Sequence, residues 1–226
     1  MTRFHPEVVE AAIALDVDAI FFNIYFPKEH GPDLIRRLAD AGWRHQLITP
    51  EPPARANRTF LAARVPVELD SLALPTFDHQ LLANLLVVRF PQTGLRVVAL
   101  RVPAYEAHQK DLILKSWDWL EVAAAEIVGD VAVIIGDLNV SSSSSRAAGG
   151  GHFRRIKGAG WVLATPETEP SFFSAKGYTS TLDHLLHTKA VRVANASFVT
   201  KIGNRILAGS SDALSDHAAI VADLQA

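Results

Sequence analysis

The stretch VAVIIGDLNV, residues 131–140, decides the reading of this chain. Five of its first six residues are apolar and four are β-branched, which predicts a strand buried on both faces. Gly136 lets the backbone come close to a neighbour. Asp137 and Asn139 are two residues apart, so on an extended chain both point to one side. An acid and an amide at the end of a buried strand are costly unless each is paired or bound. Because Gly, Asp and Asn are all turn residues, a strand running into an Asx turn explains the same letters.

Two further stretches share the pattern. Leu214-Ser215-Asp216-His217 precedes AAIVADL, a mostly apolar strand. Ser180-Thr181-Leu182-Asp183-His184-Leu185-Leu186 is a third strand-like run carrying one acid. Three buried-type strands, each with an acid at its end, describe a site assembled from separate parts of one fold.

The ordered triple GDLNV, LDHLL and SDH resembles the endonuclease/exonuclease/phosphatase superfamily, the fold of the exonuclease III-type nucleases and DNase I. The resemblance implies an α+β, four-layer α/β/β/α sandwich of two mainly antiparallel sheets flanked by helices. It implies metal-dependent phosphoester hydrolysis. Asp137 would orient or deprotonate the attacking water, and Asn139 would position phosphate and nucleophile. Asp216 would bind metal, and His217 would sit on the phosphate with Asp183 hydrogen-bonded to its ring. The cofactor implied is Mg2+, with Mn2+ as the alternative. The substrate implied is a phosphoester, either nucleic acid or a small phosphodiester.

The chain departs from the family pattern in three places. The family's metal-binding Glu falls on Ile24, or on Asn23 if the register slips by one. The family's His at the end of the second hairpin strand falls on Arg101, which can fork onto two phosphate oxygens but cannot give up a proton near neutral pH. Tyr105, just beyond, is a phosphate contact or a plain turn aromatic. The family's first strand carries an Asn, whereas this chain begins at the helix that follows, so it reads as N-terminally shortened. The missing Glu predicts weakened magnesium affinity.

The bulk numbers agree with one domain over residues 1–226: apolar residues make up 49% and charged ones 20%. No apolar run has transmembrane length, and no signal peptide is visible. Cysteine is absent, which removes disulfides and thiolate sites. A cytoplasmic location is the default. The net charge of -2 gives no global basic footprint for nucleic acid, and Arg154, Arg155 and Lys157 are the local candidates, better read as a solvated face.

In chain order, helices are expected over 6–15, 32–41, 107–128 and 151–159. Strands are expected over 18–26, 43–48, 59–67, 82–90, 95–102, 191–200 and 218–224, with loops over 141–151 and 201–214. Trp117 and Trp119 on the longest helix read as core or flank residues. Two function classes follow. The retained Asp137, Asn139, Asp183, Asp216 and His217 favour an active hydrolase. The missing Glu and the missing first strand favour a degenerate member that binds a phosphate-bearing ligand or a protein. The oligomeric state has no signal in the sequence.

Overall fold

A computed structural model describes residues 7–25, 31–51, 57–75, 79–104, 109–144 and 149–226. The first part runs α1 (Glu7–Leu15), β1 (Ala19–Tyr25), α2 (Gly31–Asp40), β2 (His45–Ile48), β3 (Asn57–Ala63) and β4 (Glu68–Leu69). The middle runs α3 (His79–Ala83), β5 (Leu85–Phe90), β6 (Leu95–Leu100), α4 (Lys110–Ile127), β7 (Ala132–Asp137) and α5 (Gly150–Gly158). The last part holds β8 (Val162–Leu163), β9 (Phe172–Phe173), β10 (Thr179–Ser180), β11 (Asp183–His187), β12 (Arg192–Val199), β13 (Lys201–Ile202), β14 (Arg205–Ile206) and β15 (Ala219–Gln225).

The central layer is a six-stranded sheet in the order β4-β5-β6-β7-β11-β8. All its pairs are antiparallel except β6 with β7. That single parallel pair is made by α4, which carries the chain back across one face. Leu112, Ile113, Trp117, Leu120, Ala124 and Ile127 form the buried stripe of α4, and they pack with Phe153 and Ile156 of α5 on Val98, Leu100 and Ile134 of the sheet. Trp117 is core and Trp119 lies on the flank, its indole N–H donating to Ala73 O at 3.0 Å.

The other face of the sheet is covered by two ribbons, β1-β3-β2 and β12-β15. Leu61, Ala63, Phe21, Val193 and Leu224 meet Val88, Val97, Ala99 and Val133 there. Outside the ribbons, α1 and α2 close a third apolar layer through Val9, Ala12, Leu34 and Leu38, joined by Trp43 after α2, against Ile20 and Phe60. The result is helices, strands, strands, helices: the expected four layers. Sheets that bury both faces need near-continuous apolar strands, and β5, β6 and β7 supply them.

Several expected elements differ in detail. The strand expected over 82–90 starts at Leu85, because Leu82 and Ala83 close a short helix, α3. The strand at 59–67 ends at Ala63, and Arg64 turns aside to pair with Asp16 at 2.7 Å and to stack 4.5 Å over the Trp43 ring. The expected loop at 201–214 holds the β13-β14 hairpin, which packs its Ile202 with Ala11 of α1 and with Leu207 and Leu214. Each is a tertiary contact overriding a short, ambiguous local signal.

Candidate functional site

The strand of 131–140 ends at Asp137, not at Val140. Two neighbours set that end. Gly136 has φ +143°, and a Cβ there would stand 2.0 Å from the backbone oxygen of Leu100. Only glycine lets β7 approach β6 so closely at the point where both strands end. Beyond them Val102 N donates to Asp137 O at 2.9 Å, so Arg101 and Asp137 emerge side by side. Asn139 then adopts φ +50°, a left-handed conformation that Asn tolerates.

Of the two readings of Asp137 and Asn139, the structure has the turn, and they meet by folding back. Asn139 N donates to Asp137 Oδ1 at 3.1 Å, and Asn139 Nδ2 donates to Asp137 Oδ2 at 2.9 Å. The same Nδ2 reaches Val102 O at 2.7 Å. Arg101 Nε lies 3.5 Å from Asp137 Oδ2.

The antiparallel register places Asp183 directly opposite Asp137. Both residues are buried, and like charges facing each other across a ladder repel. Burial and then the Asp183 charge push the Asp137 carboxyl up to about 6, against the pull of His217 and Arg101. Asp183 is relieved by His217, whose Nδ1 lies 2.7 Å from Asp183 Oδ2. With Nδ1–H donated to that carboxylate, Nε2 is the nitrogen left to meet a ligand. Burial alone would lower the His217 pKa. The Asp183 hydrogen bond and charge, with Asp137 and Asp216 behind them, outweigh it and raise it to about 9.

Ser171 locks these parts together. It is fully buried; its Oγ accepts from Leu182 N at 2.9 Å and Asp183 N at 3.0 Å, while its carbonyl accepts from Ala218 N at 2.7 Å. One residue thus ties the start of β11 to the strand after His217. Phe172 bridges to His217 and packs its ring at 5.0 Å against the imidazole.

A family model, endonuclease/exonuclease/phosphatase, matches residues 10–217. The chain belongs to the endonuclease/exonuclease/phosphatase family. No curated protein matches it in sequence. The fold is that of solved members. An AP endonuclease from Archaeoglobus fulgidus superimposes with a TM-score of 0.76 at 16% identity, over 97% of this chain and 93% of that one. A 3′-5′ exonuclease from Neisseria meningitidis gives 0.73 at 16% identity, over 96% and 94%. A Neisseria 3′ phosphatase bound to a product DNA hairpin gives 0.73 at 15%, over 97% and 94%.

Members of this endonuclease/exonuclease/phosphatase family are hydrolases that generally depend on a divalent metal. The donor set fits such an ion in part. Asp137, Asp183 and His217 offer ligand atoms within 4.8 Å of one another. Two opposed carboxylates, one of them held back from ionising, are the environment a cation relieves. Asp216 is exposed and stands outside that group, so the expected metal residue is beside the cluster rather than in it. Asn23 donates from Nδ2 to Thr59 Oγ1 at 3.1 Å and accepts from Asn57 at 3.5 Å. Its amide is therefore part of the β1-β3 pair. Tyr105 lies outside the described residues.

The structure thus brings together Arg101, Asp137, Asn139, Asp183 and His217. Arg154, Arg155 and Lys157 do not join them. They engage Ser144 O, Glu121 and Glu167, as a solvated face would. Sequence reasoning gave no role to Ser171, which stands between Pro170 and Phe172. A small hydroxyl ahead of a two-residue strand is too common to stand out.

Proposed function

We propose that this chain is a metal-dependent phosphoester hydrolase, a phosphodiesterase/nuclease or phosphatase, with Asp137, Asn139, Asp183 and His217 as its catalytic residues and Arg101 as a substrate contact. The observation that carries the reading is the opposed pair Asp137 and Asp183, with one cationic side chain against each. Such an arrangement has little structural reason to exist, since burying like charges face to face costs stability.

The chemistry follows from the parts. A phosphoester repels an attacking water, so the site must neutralise charge and place that water in line. Asp137, with its pKa near 6, accepts the proton of the attacking water at neutral pH. Asn139 holds the carboxylate so that it faces one way. Arg101 and the His217 imidazolium draw the phosphoryl oxygens in. As the new oxygen–phosphorus bond forms and the old one breaks, His217 Nε2 gives its proton to the departing oxygen. Asp183 keeps Nδ1 protonated throughout. A magnesium or manganese ion, held by Asp137 and Asp183 with Asp216 at the edge of the cluster, would supply further charge neutralisation at the phosphoryl oxygens. The small number of carboxylates supports the expectation that its affinity is weak.

The nuclease and 3′ phosphatase activities named for the structural neighbours support a nucleic-acid phosphoester as substrate. A second reading, a phosphate-binding or protein-binding module without turnover, draws on the engaged Asn23 amide and the position of Asp216 outside the cluster. Hydrolysis of bis-p-nitrophenyl phosphate with magnesium, then manganese, separates the two. Metal-dependent turnover lost in Asp137→Ala supports the enzyme; turnover no higher than in the variant with either metal supports the binding module.

A further inference from the structure

The strand that presents Asp183 carries His184 beside it, and successive residues of a strand face opposite sides. Asp183 turns to His217. His184 turns into the helix layer, fully buried, with its ring 4.8 Å from that of Phe153. Its Nε2 lies 2.7 Å from the carbonyl oxygen of Val140. A carbonyl only accepts, so Nε2 carries the ring proton. Nδ1 is then the bare nitrogen, buried and without a partner among the described residues. Burying a polar atom unpaired costs stability, and an apolar side chain would fill this space without that cost. The bond to Val140 is what the histidine provides.

Val140 follows Asn139, the residue in the left-handed conformation. The turn is held at three places. Leu138 N donates to Leu182 O at 2.9 Å, the Asn139 amide spans Val102 O and Asp137, and His184 grips Val140 O. Two of these three anchors belong to residues 182–184.

We propose that His184 is a positioning residue that holds Asn139 in its left-handed turn and so keeps the Asn139 amide on Asp137. Asp183 and His184 then set the two halves of the site from opposite faces of one strand. The kinetic side of this inference rests on the hydrolase reading; the geometric side does not.

The test compares His184→Gln, whose Nε2 hydrogens can donate at the same place, with His184→Leu, which cannot donate. One readout is the side-chain amide of Asn139 by 1H–15N NMR, with its hydrogen exchange. The other is hydrolysis of bis-p-nitrophenyl phosphate with magnesium. His184→Gln keeps the Asn139 amide signal and wild-type kcat. His184→Leu loses the amide protection and drops kcat about tenfold, the value of one buried hydrogen bond, with KM little changed. Adding His184→Leu to Asn139→Ala costs no further kcat. If His184→Leu does not fold, His184→Asn, polar but too short to reach Val140, replaces it. An unchanged Asn139 amide in the loss variant, an equal fall in His184→Gln, or additive losses in the double variant would overturn the proposal. A wild-type protein without turnover would sink the hydrolase reading alone, and the NMR comparison would still decide the role of His184.

Discussion

The six-stranded sheet buries acids at both of its ends, and the two ends treat them oppositely. At one end Arg89 and Arg96 face each other across the β5-β6 ladder, and Asp70 lies between them. Its side chain is fully shielded, 3.1 Å from Arg89 Nε and 2.9 Å from Arg96 Nε. Burial disfavours its charge, but Arg96, the Leu72 amide and Arg89 outweigh that and hold the carboxyl below its usual range. Arg96 also pairs with Asp130. At the other end two acids face each other, Asp137 and Asp183, and the carboxyl of Asp137 is pushed up to about 6. One end is compensated and silent. The other sets acid against acid, and Arg101 and His217 offset the burial and repulsion only in part. A buried acid is thus a functional signal only when its surroundings leave it poised between two protonation states.

Breaking the contrast should have its largest effect at the poised end. Asp137→Asn lowers kcat for an aryl phosphodiester by about 10³-fold, the scale of a lost general base. It raises the thermal midpoint at pH 8, because the buried charge is gone. The sign follows from linkage. A folded pKa of about 6 above the unfolded value means that the wild type loses stability as pH rises through that interval. The gain in the variant therefore shrinks toward pH 4, as differential scanning calorimetry at both values will show.

Asp70→Asn gives the mirror image. It leaves the buried Arg96 with Asp130 alone and the half-buried Arg89 without this acid, and it costs about 3 kcal/mol by urea unfolding, while kcat of the folded protein stays at the wild-type value. A loss of activity with stability unchanged would erase the distinction between the two ends.

Asp183→Asn comes next. It unfastens His217, lowers kcat about 10²-fold, and moves the alkaline limb of the pH–rate profile from about 9 toward the ordinary histidine range. In the wild type that profile is a bell, rising as Asp137 deprotonates near 6 and falling as His217 deprotonates near 9. The His217 pair also stabilises the fold. Its contribution is complete below the unfolded pKa of about 6.5 and is lost as pH rises through about 9. Arg101→Gln has the smallest effect, raising KM about tenfold with kcat nearly intact, since it removes one charge-assisted contact. A kcat effect larger than the KM effect would instead place Arg101 on the transition state.

The poised end was partly legible in the sequence and the silent end was not. Asp137, Asp183 and His217 stood out because a polar side chain at the end of an apolar run has few structural excuses. Their meeting is a matter of register between β7 and β11, a long-range pairing that no local pattern encodes. The turn at Asn139 was one of two open readings, and the structure combines them: the strand ends and the amide folds back on the acid. Ser171 and His184 act through backbone groups far along the chain, so their spacing carries no signature. Asp70, Arg89 and Arg96 look like ordinary surface charges until the β4-β5-β6 ladder brings them together. The main strands and the long helix were legible as apolar runs and a helical stripe, and their four-layer arrangement followed from the family resemblance of the three motifs; α3 and the β13-β14 hairpin were not legible, being too short for periodicity to show.

The most direct measurement is a 13C NMR titration of the Asp137 carboxyl in the protein without added metal, repeated in Asp183→Asn. A midpoint near 6 that falls when the opposing acid is removed is the expected result. A midpoint at or below about 4 in the wild type, the ordinary aspartate value, would mean that the two ends of the sheet do not differ, and would contradict the assignment of Asp137 as the poised base.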